Sequence, residues 1–528
     1  MVQAQADTDT SAPVDLPALL NEHGLQLTPD AKFVRWSSTN QEHPRNWSTL
    51  RKLYDTSIII FLDLYTTAIS TAGSSAADHA YEEYNINRIL SIFIFVSLYL
   101  IGQGIGGVVF PATSEAFGRK RLYIVSTAVY SVGCIIVGVV PHIAGAAVGR
   151  FISGFFSAMP TIVVAGSIED MYNSKGRVWL IFLWALVANA GLCLGPIMSV
   201  YIISVLNWRW VFYIAAIVTA ITTVLLFFIR ESRPSLILTR HVAKVQSICD
   251  GNHHHHLPRL HHHHHHHHHD RHILQPLNPD HTPSLRTFAR EALFRPVILF
   301  FTEPIVFLVS TMSAIAFALV YLFTEALPPI YQSMGFSETA SSLPFLAIAI
   351  GLACGLFTRL MDNAIMNKYE KEGVPPQPEH KLLGFSIGAP VLSLGLWWFA
   401  WTIPPIVPNV HWIVSCIALV LIGYALNEFD AVLAGYLADS YLSYAASGFA
   451  ALAFLRAILS AVFPLFATQM FDGLGANVAA SVLAAVATVF CLVPPLFGRF
   501  GKRIRANSPF ARYSLKVYLD NSVEKEGY

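Results

Sequence analysis

Charge is scarce in this chain. Only 13% of its 528 residues are Asp, Glu, Lys or Arg, about half of the roughly 25% carried by soluble domains. That excludes a soluble enzyme and a charge-rich disordered regulator. Neither sign dominates: 34 basic against 33 acidic residues leave a formal charge of +1, which gives no overall footprint for nucleic acid. Cysteine is sparse as well. Cys134, Cys193, Cys354, Cys416 and Cys491 stand singly in apolar runs and Cys249 in a polar loop. No C-x-x-C pair occurs, so neither a zinc site nor a disulfide framework is indicated. The first twenty residues contain no basic stretch followed by an apolar run, so no cleaved secretory leader is expected. A phosphate-cradling G-x-x-x-x-G-K-[ST] loop and an H-E-x-x-H metal pair are also missing, which leaves direct ATP drive and a membrane-embedded hydrolase without support.

Apolar residues fill the space that charge vacates. They make up 54% of the chain, and the mean hydropathy is +0.51. A bilayer span needs roughly 20 apolar residues, and apolar runs of that length fall near 53–74, 89–110, 122–140, 144–166, 177–200 and 210–229. Six more follow near 297–324, 341–362, 382–402, 411–436, 446–469 and 476–498. The expected architecture is all-α and polytopic: twelve membrane helices in two six-helix bundles, 49–230 and 297–500. A polar N-terminus (1–48) expected to lack fixed structure, a central loop (231–296) and a tail (501–528) complete the chain. If the N-terminus is cytoplasmic, 30 of the 34 Lys and Arg fall on the cytoplasmic side, as the positive-inside rule requires. Both termini are therefore expected in the cytosol. The central loop carries His253–His256 and His261–His269, read either as a low-complexity linker or as clustered imidazoles for metal or pH sensing.

Two stretches carry most of the motif signal. Gly102, Gly104, Gly106 and Gly107 lie inside an apolar run, where small residues let helices approach closely. Between the second and third runs comes Ser114-Glu115-Ala116-Phe117-Gly118-Arg119-Lys120-Arg121, an acidic–Gly–basic hairpin able to pair with neighbouring helix ends. This hairpin is similar to the loop signature G-x-L-x-D-x-x-G-R-R/K of the major facilitator superfamily. Glu115, Gly118 and Arg119 fall on its acidic, Gly and Arg positions, while Pro111 and Thr113 depart from it. Arg150-Phe151-Ile152-Ser153-Gly154 resembles the R-x-x-x-G motif of proton-coupled members, and Gly191-Leu192-Cys193-Leu194-Gly195-Pro196 resembles the G-x-x-x-G-P motif of antiporters. Gly and Pro there provide a bend and a close contact, a plausible rocking joint. Pro44-Arg45-Asn46-Trp47-Ser48, Trp208-Arg209-Trp210, Glu231-Ser232-Arg233-Pro234 and Tyr436-Leu437-Ala438-Asp439-Ser440-Tyr441 narrow the resemblance to fungal twelve-span drug:proton antiporters.

Ionisable residues within the runs are costly and normally face a cavity or a partner. Asp63 in the first run is a candidate for loading and releasing a proton, with Arg150 able to tune it if both face one cavity. Glu303, Glu428, Asp430 and Arg456 form a second candidate set. Glu428 and Asp430, two residues apart, point in different directions on a helix, and Arg456 is positioned to pair with either. Glu325, near a run's outer end, is expected to be solvated, and Trp208 and Trp210 are expected in an interfacial belt. Tyr99, Trp184, Tyr321 and Asn427 are candidates for a substrate cavity. The resemblance implies a secondary transporter, monomeric and at the plasma membrane, with a small organic substrate, the proton as coupling ion, and no cofactor or metal. It implies efflux of toxins, drugs or secondary metabolites. A polyamine exporter or an uptake symporter is the alternative on the same fold.

Overall fold

The computed structural model describes residues 16–28, 33–37, 39–254, 275–276, 285–372, 378–406, 410–441 and 445–512. Among them are twelve helices long and apolar enough to cross a bilayer. Spans 1 to 6 are Thr49–Glu83, Arg88–Pro111, Arg119–Val139, Ile143–Met171, Gly176–Val205 and Arg209–Leu226. Spans 7 to 12 are Pro304–Ser333, Ala340–Tyr369, Leu383–Thr402, Ile413–Tyr441, Ser447–Leu474 and Ala476–Asn507. Span 7 begins later than hydropathy suggests. A separate helix, Leu285–Thr302, precedes it, and Pro304 takes the first helical position after Glu303, where a missing N–H has no cost.

Packing repeats itself in the two halves. Span 1 lies on span 5, 2 on 4, 3 on 4 and 3 on 6; in the second half 7 lies on 11, 8 on 10, 9 on 10 and 9 on 12. Across the halves span 2 meets span 11 and span 5 meets span 8. These contacts need small residues. A Cβ at Gly102, Gly106 or Gly154 would overlap a backbone carbonyl of the facing helix, which fixes spans 2 and 4 at backbone distance. Gly191 and Gly195 do the same for span 5 against the Leu64 and Ala68 carbonyls of span 1.

The chain ahead of span 1 is ordered where it is described, against the expectation from composition. Helix Leu16–Glu22 leads into β1 (Leu25–Leu27) and β2 (Phe33–Trp36), which pair antiparallel, and β2 pairs parallel with β3 (Gln275–Pro276). Leu20, Leu25, Val34 and Trp36 bury against Leu238, Val242 and Val245 of helix Pro234–His254. A few apolar residues in a polar segment suffice because their partner face lies some two hundred residues away. The side chains of both histidine runs lie outside the described residues.

This clasp contains the His43 ring, set edge-on to Trp36 at 5.7 Å with its Nδ1 accepting the Arg45 N–H at 3.1 Å. Burial, assisted by the charges of Arg45 and Lys52, pushes the His43 imidazole down to about 4 from an ordinary 6.5. Below about pH 6.5 the released segment therefore binds a proton that the docked segment rejects. The clasp is expected to be fully docked above that pH and to loosen as pH falls toward about 4. Hydrogen exchange of residues 16–36 against pH measures this, and His43→Gln should flatten the response. Val34→Asp, which buries an unpaired carboxylate, should raise exchange there at every pH and leave the spans unchanged.

Candidate functional site

Three polar centres sit in the apolar scaffold. The first is the hairpin between spans 2 and 3. Gly118 turns the chain at φ +90°, a conformation that strongly favours glycine. The turn aims the N-terminus of span 3 at Glu231, whose carboxylate accepts the Arg119 N–H at 2.9 Å and the Lys120 N–H at 3.1 Å. Free N–H groups and the helix dipole make that end a natural anion seat. The buried Arg119 guanidinium pairs with Asp170 of span 4 at 3.0 Å and reaches Ser167 at 3.4 Å. From sequence Glu231 stood only within a phrase of the resemblance, with no partner assigned to it, and Asp170 was not singled out. The Glu115 side chain lies outside the described residues.

The second centre lies within spans 1 to 6. Asp63 is fully buried, and its Oδ2 accepts the Trp184 indole N–H at 2.6 Å. Thr67 and Thr161 flank the carboxyl, and it lies within electrostatic reach of Asp430. Trp184 thus holds an acid rather than forming an open wall. Arg150 does not join Asp63. Its guanidinium lies 4.3 Å from the Tyr99 ring centroid and 5.3 Å from that of Phe212, a cation–π setting that partly replaces water. Its Nε donates to the Phe95 carbonyl at 2.7 Å. That carbonyl lies in a π-helical turn, Phe93–Ser97, where the ordinary backbone ladder is shifted. Tyr99 is fully buried with its hydroxyl donating to the Thr66 carbonyl at 3.0 Å, so it belongs to the packed core.

The third centre lies between the halves. Arg456 of span 11 pairs with Asp430 of span 10. Asn189 of span 5 donates to the other Asp430 oxygen at 3.1 Å, and Arg456 donates to Ser313 of span 7 at 2.9 Å while covering the Phe317 ring at 4.5 Å. Beside this group is a small cleft whose walls include Asn189, Cys193, Ser313, Phe317, Leu426 and Asp430. Spans 5, 7, 8 and 10 all contribute to it. Of the sequence candidates, only Asp430 lines it. Asn189 is the residue a closer reading could have found: an amide in an apolar run, two positions before Gly191.

The remaining candidates sit elsewhere. Glu428 turns away from the cavity, its carboxylate lodged where Gly384 of span 9 and Gly355 of span 8 leave room. Asn427 is fully buried beside the same Gly355. Glu303 is buried at the joint before span 7, with its oxygens accepting the Tyr441 and Ser508 hydroxyls at 2.9 Å each, which ties the end of span 10 and the chain after span 12 to this joint. Tyr321 meets Ser70 of span 1 at 2.7 Å. Glu325 is not solvated: it is buried and paired with Arg88 at 2.8 Å. Trp208 likewise leaves the expected belt, buried with its indole N–H on Glu83 at 2.6 Å, whereas Trp210 is exposed.

Breaking the Asp430–Arg456 pair from one side strands a charge. Arg456→Met should lower stability by about 1–3 kcal/mol, discounted for the fifth of each side chain left accessible. Adding Asp430→Leu should restore most of it, with transport lost in both variants; thermal unfolding in detergent reads the first effect and vesicle uptake the second.

Comparison with known proteins agrees with this architecture. A family model described as Major Facilitator Superfamily matches residues 57–464. A multidrug transporter of Candida glabrata, TPO1_2, is 31% identical over 476 residues, covering 90% of this chain and 78% of that protein. An MFS-type efflux pump of Trichophyton rubrum, MFS2, is 30% identical over 515 residues, 95% and 82% of the two chains. The fold is similar to that of a D-xylose–proton symporter, with a TM-score of 0.59 at 14% identity over 85% of this chain and 97% of the other. A peptide transporter is similar at a TM-score of 0.54 and 14% identity, covering 86% and 95%. With twelve apolar helices in this arrangement, the chain is a multi-pass membrane protein that belongs to the major facilitator superfamily.

Proposed function

We propose that the chain exports small organic molecules by alternating access, driven by protons moving inward. The observation that carries this reading is the cavity between the halves with the Asp430–Arg456 pair on its wall. A cavity bounded by spans of both halves changes its exposure when the halves rock. Its surface is mostly apolar, with Leu192, Val320, Ile348 and Leu352 facing a short polar edge of Asn189, Ser313 and Asp430. That suits an amphipathic molecule with a flat apolar body and one or two hydrogen-bonding groups. The relatives named multidrug transporter and efflux pump support outward movement of such compounds.

The proton is assigned to the acids on and behind this wall. Asp430 exchanges its Arg456 partner for a proton, and Asp63, in electrostatic reach of it, passes the proton toward the opposite side of the membrane. Substrate leaves as the proton arrives, so the two never share the wall. The chain acts as a monomer in the plasma membrane of a fungal cell, with the Gly118 hairpin and both termini in the cytosol. It needs no cofactor beyond the coupling proton.

Sealed inside-out vesicles with an imposed pH gradient test this against a panel of drugs and metabolites. Accumulation should require the gradient and collapse with a protonophore. Asp63→Asn should abolish gradient-driven accumulation and retain exchange of labelled for unlabelled substrate. Accumulation indifferent to the gradient, or unchanged in Asp63→Asn, would refute the assignment.

A further inference from the structure

Span 12 is longer than the hydrocarbon it crosses. Its 32 residues, Ala476–Asn507, extend about 48 Å at 1.5 Å per residue, against a hydrocarbon layer of about 30 Å. Roughly its last dozen residues therefore lie at headgroup depth. The twelfth crossing ends on the same side as the second, so this is the side of the Gly118 hairpin. The helix is interrupted at Cys491–Leu492 and resumes as Val493–Asn507.

One face of this last segment is packed. Pro494, Phe497 and Gly501 are buried, and Phe497 stacks on Tyr436 of span 10 at 5.1 Å. Arg505 lies beside them and grips Glu379 through Nε and Nη2 at 2.6–3.0 Å. The opposite face is open. Leu492, Leu496, Arg499 and Arg503 follow at intervals of four, three and four residues, which aligns them along the helix, with Phe500 and Lys502 at its flanks. Leu492, Leu496 and Phe500 are 69%, 39% and 43% exposed, and Arg499, Lys502 and Arg503 are exposed beside them. The apolar residues come first and the cations a turn later. A helix leaving hydrocarbon meets acyl chains and then phosphates in that same order.

Charge is sorted in the same way. From Cys491 to Arg512 the sequence has five basic residues and no Asp or Glu. Arg505, turned inward, has Glu379, and Lys381 in the adjoining turn has Asp439 at 2.6 Å. Arg499, Lys502 and Arg503 have no acidic partner among the described residues; Arg499 lies 5.9 Å from the centroid of the neighbouring Phe500 ring.

We propose that the outward face at the end of span 12 is a binding surface for anionic phospholipid. Arg499, Lys502 and Arg503 take the phosphate and the acidic headgroup, while Leu492, Leu496 and Phe500 lie along the acyl chains. The packed inward face holds the helix, so the three cations are presented at fixed spacing. A guanidinium suits the phosphate because its fork donates two parallel hydrogen bonds. In the orientation proposed above this is the cytoplasmic leaflet, where anionic lipid is concentrated.

Full-length protein stripped of lipid in detergent and offered equal amounts of phosphatidylserine and phosphatidylcholine of matched chains tests this, with native mass spectrometry counting what is retained. The wild type should prefer phosphatidylserine, and the preference should fall about fivefold for each cation removed. Arg503→Gln alone should show one such step, and the triple change Arg499→Gln, Lys502→Gln and Arg503→Gln should lose nearly all of it. The triple variant should unfold at the wild-type temperature in phosphatidylcholine, because its three side chains pair with nothing in the protein. Arg499→Lys with Arg503→Lys should keep most of the preference. Arg240→Gln with Lys244→Gln, two exposed cations on helix Pro234–His254, should keep all of it, and inorganic phosphate should displace no lipid. Equal retention of the two lipids by the wild type, or a preference surviving in the triple variant, would overturn the surface. So would an equal loss in the Arg240 and Lys244 variant, which would leave bulk charge as the cause, or displacement by inorganic phosphate, which would leave a seat for free anions.

Discussion

An ionised side chain inside hydrocarbon must be given back what water supplied, and that demand organises the polar interior of this protein. Each group is compensated differently. Asp63 takes an indole N–H, Arg150 takes two aromatic faces and a carbonyl freed by a π-turn, and Asp430 and Arg456 take each other plus an amide and a hydroxyl. Glu303 is satisfied by two hydroxyls from segments far along the chain. The kind of compensation separates charges held by neutral partners from charges held by each other. Hydroxyl and aromatic partners hold a charge in place whatever its surroundings do. A charge compensated by an opposite charge on another helix is tied to the position of that helix, so moving one moves the stability of the other.

The doubled packing scheme gives that coupling its geometry. Spans 1–5, 2–4, 3–4 and 3–6 in the first half have their counterparts in 7–11, 8–10, 9–10 and 9–12, and the cross-contacts 2–11 and 5–8 are exchanged by the same repeat. Glycines hold the contacts within a half at backbone distance, at Gly154 against Tyr99 and at Gly351 against Val420. Closely packed helices move as a body because interiors are dense. Motion is then left to the contacts between the halves, 2–11 and 5–8 together with the polar ties of span 1 to 7 and 5 to 10, and the cavity lies among spans 5, 7, 8 and 10.

The long-range order was legible in the chain because hydrophobic length is a local property. Twelve runs, the hairpin glycine and the divergence of Glu428 from Asp430 all follow from spacing within a few residues. What escaped was set by partners distant in sequence. Glu325 reads as a rim residue near a helix end until span 2 supplies Arg88. Trp208 reads as an interfacial indole until Glu83 accepts its N–H. The N-terminal strands look like a polar tail because the face that covers them, Leu238, Val242 and Val245, is two hundred residues downstream. Tyr99 and Tyr321 were grouped by chemical type, and type alone does not tell a cavity wall from a hydrogen-bonded core position.

The two ends of the molecule are tied unequally, and the inequality defines the conformation. Among the described residues, the ion pairs near the hairpin end join groups of one half: Arg119 with Asp170, Arg177 with Glu169, Lys381 with Asp439, Arg505 with Glu379. At the opposite end Arg88 reaches Glu325 across the halves, and Ser70 and Ser74 reach Tyr321 and Glu325 beneath it. Pairs confined to one half brace that half and survive a rocking motion unchanged. Pairs that cross between halves must break for their end to open. This conformation is therefore held at the Arg88 end, and the hairpin end carries its charges in a form that permits the halves to part there. A transporter needs such asymmetry, since two ends locked alike would seal the cavity and two ends free alike would leave a pore.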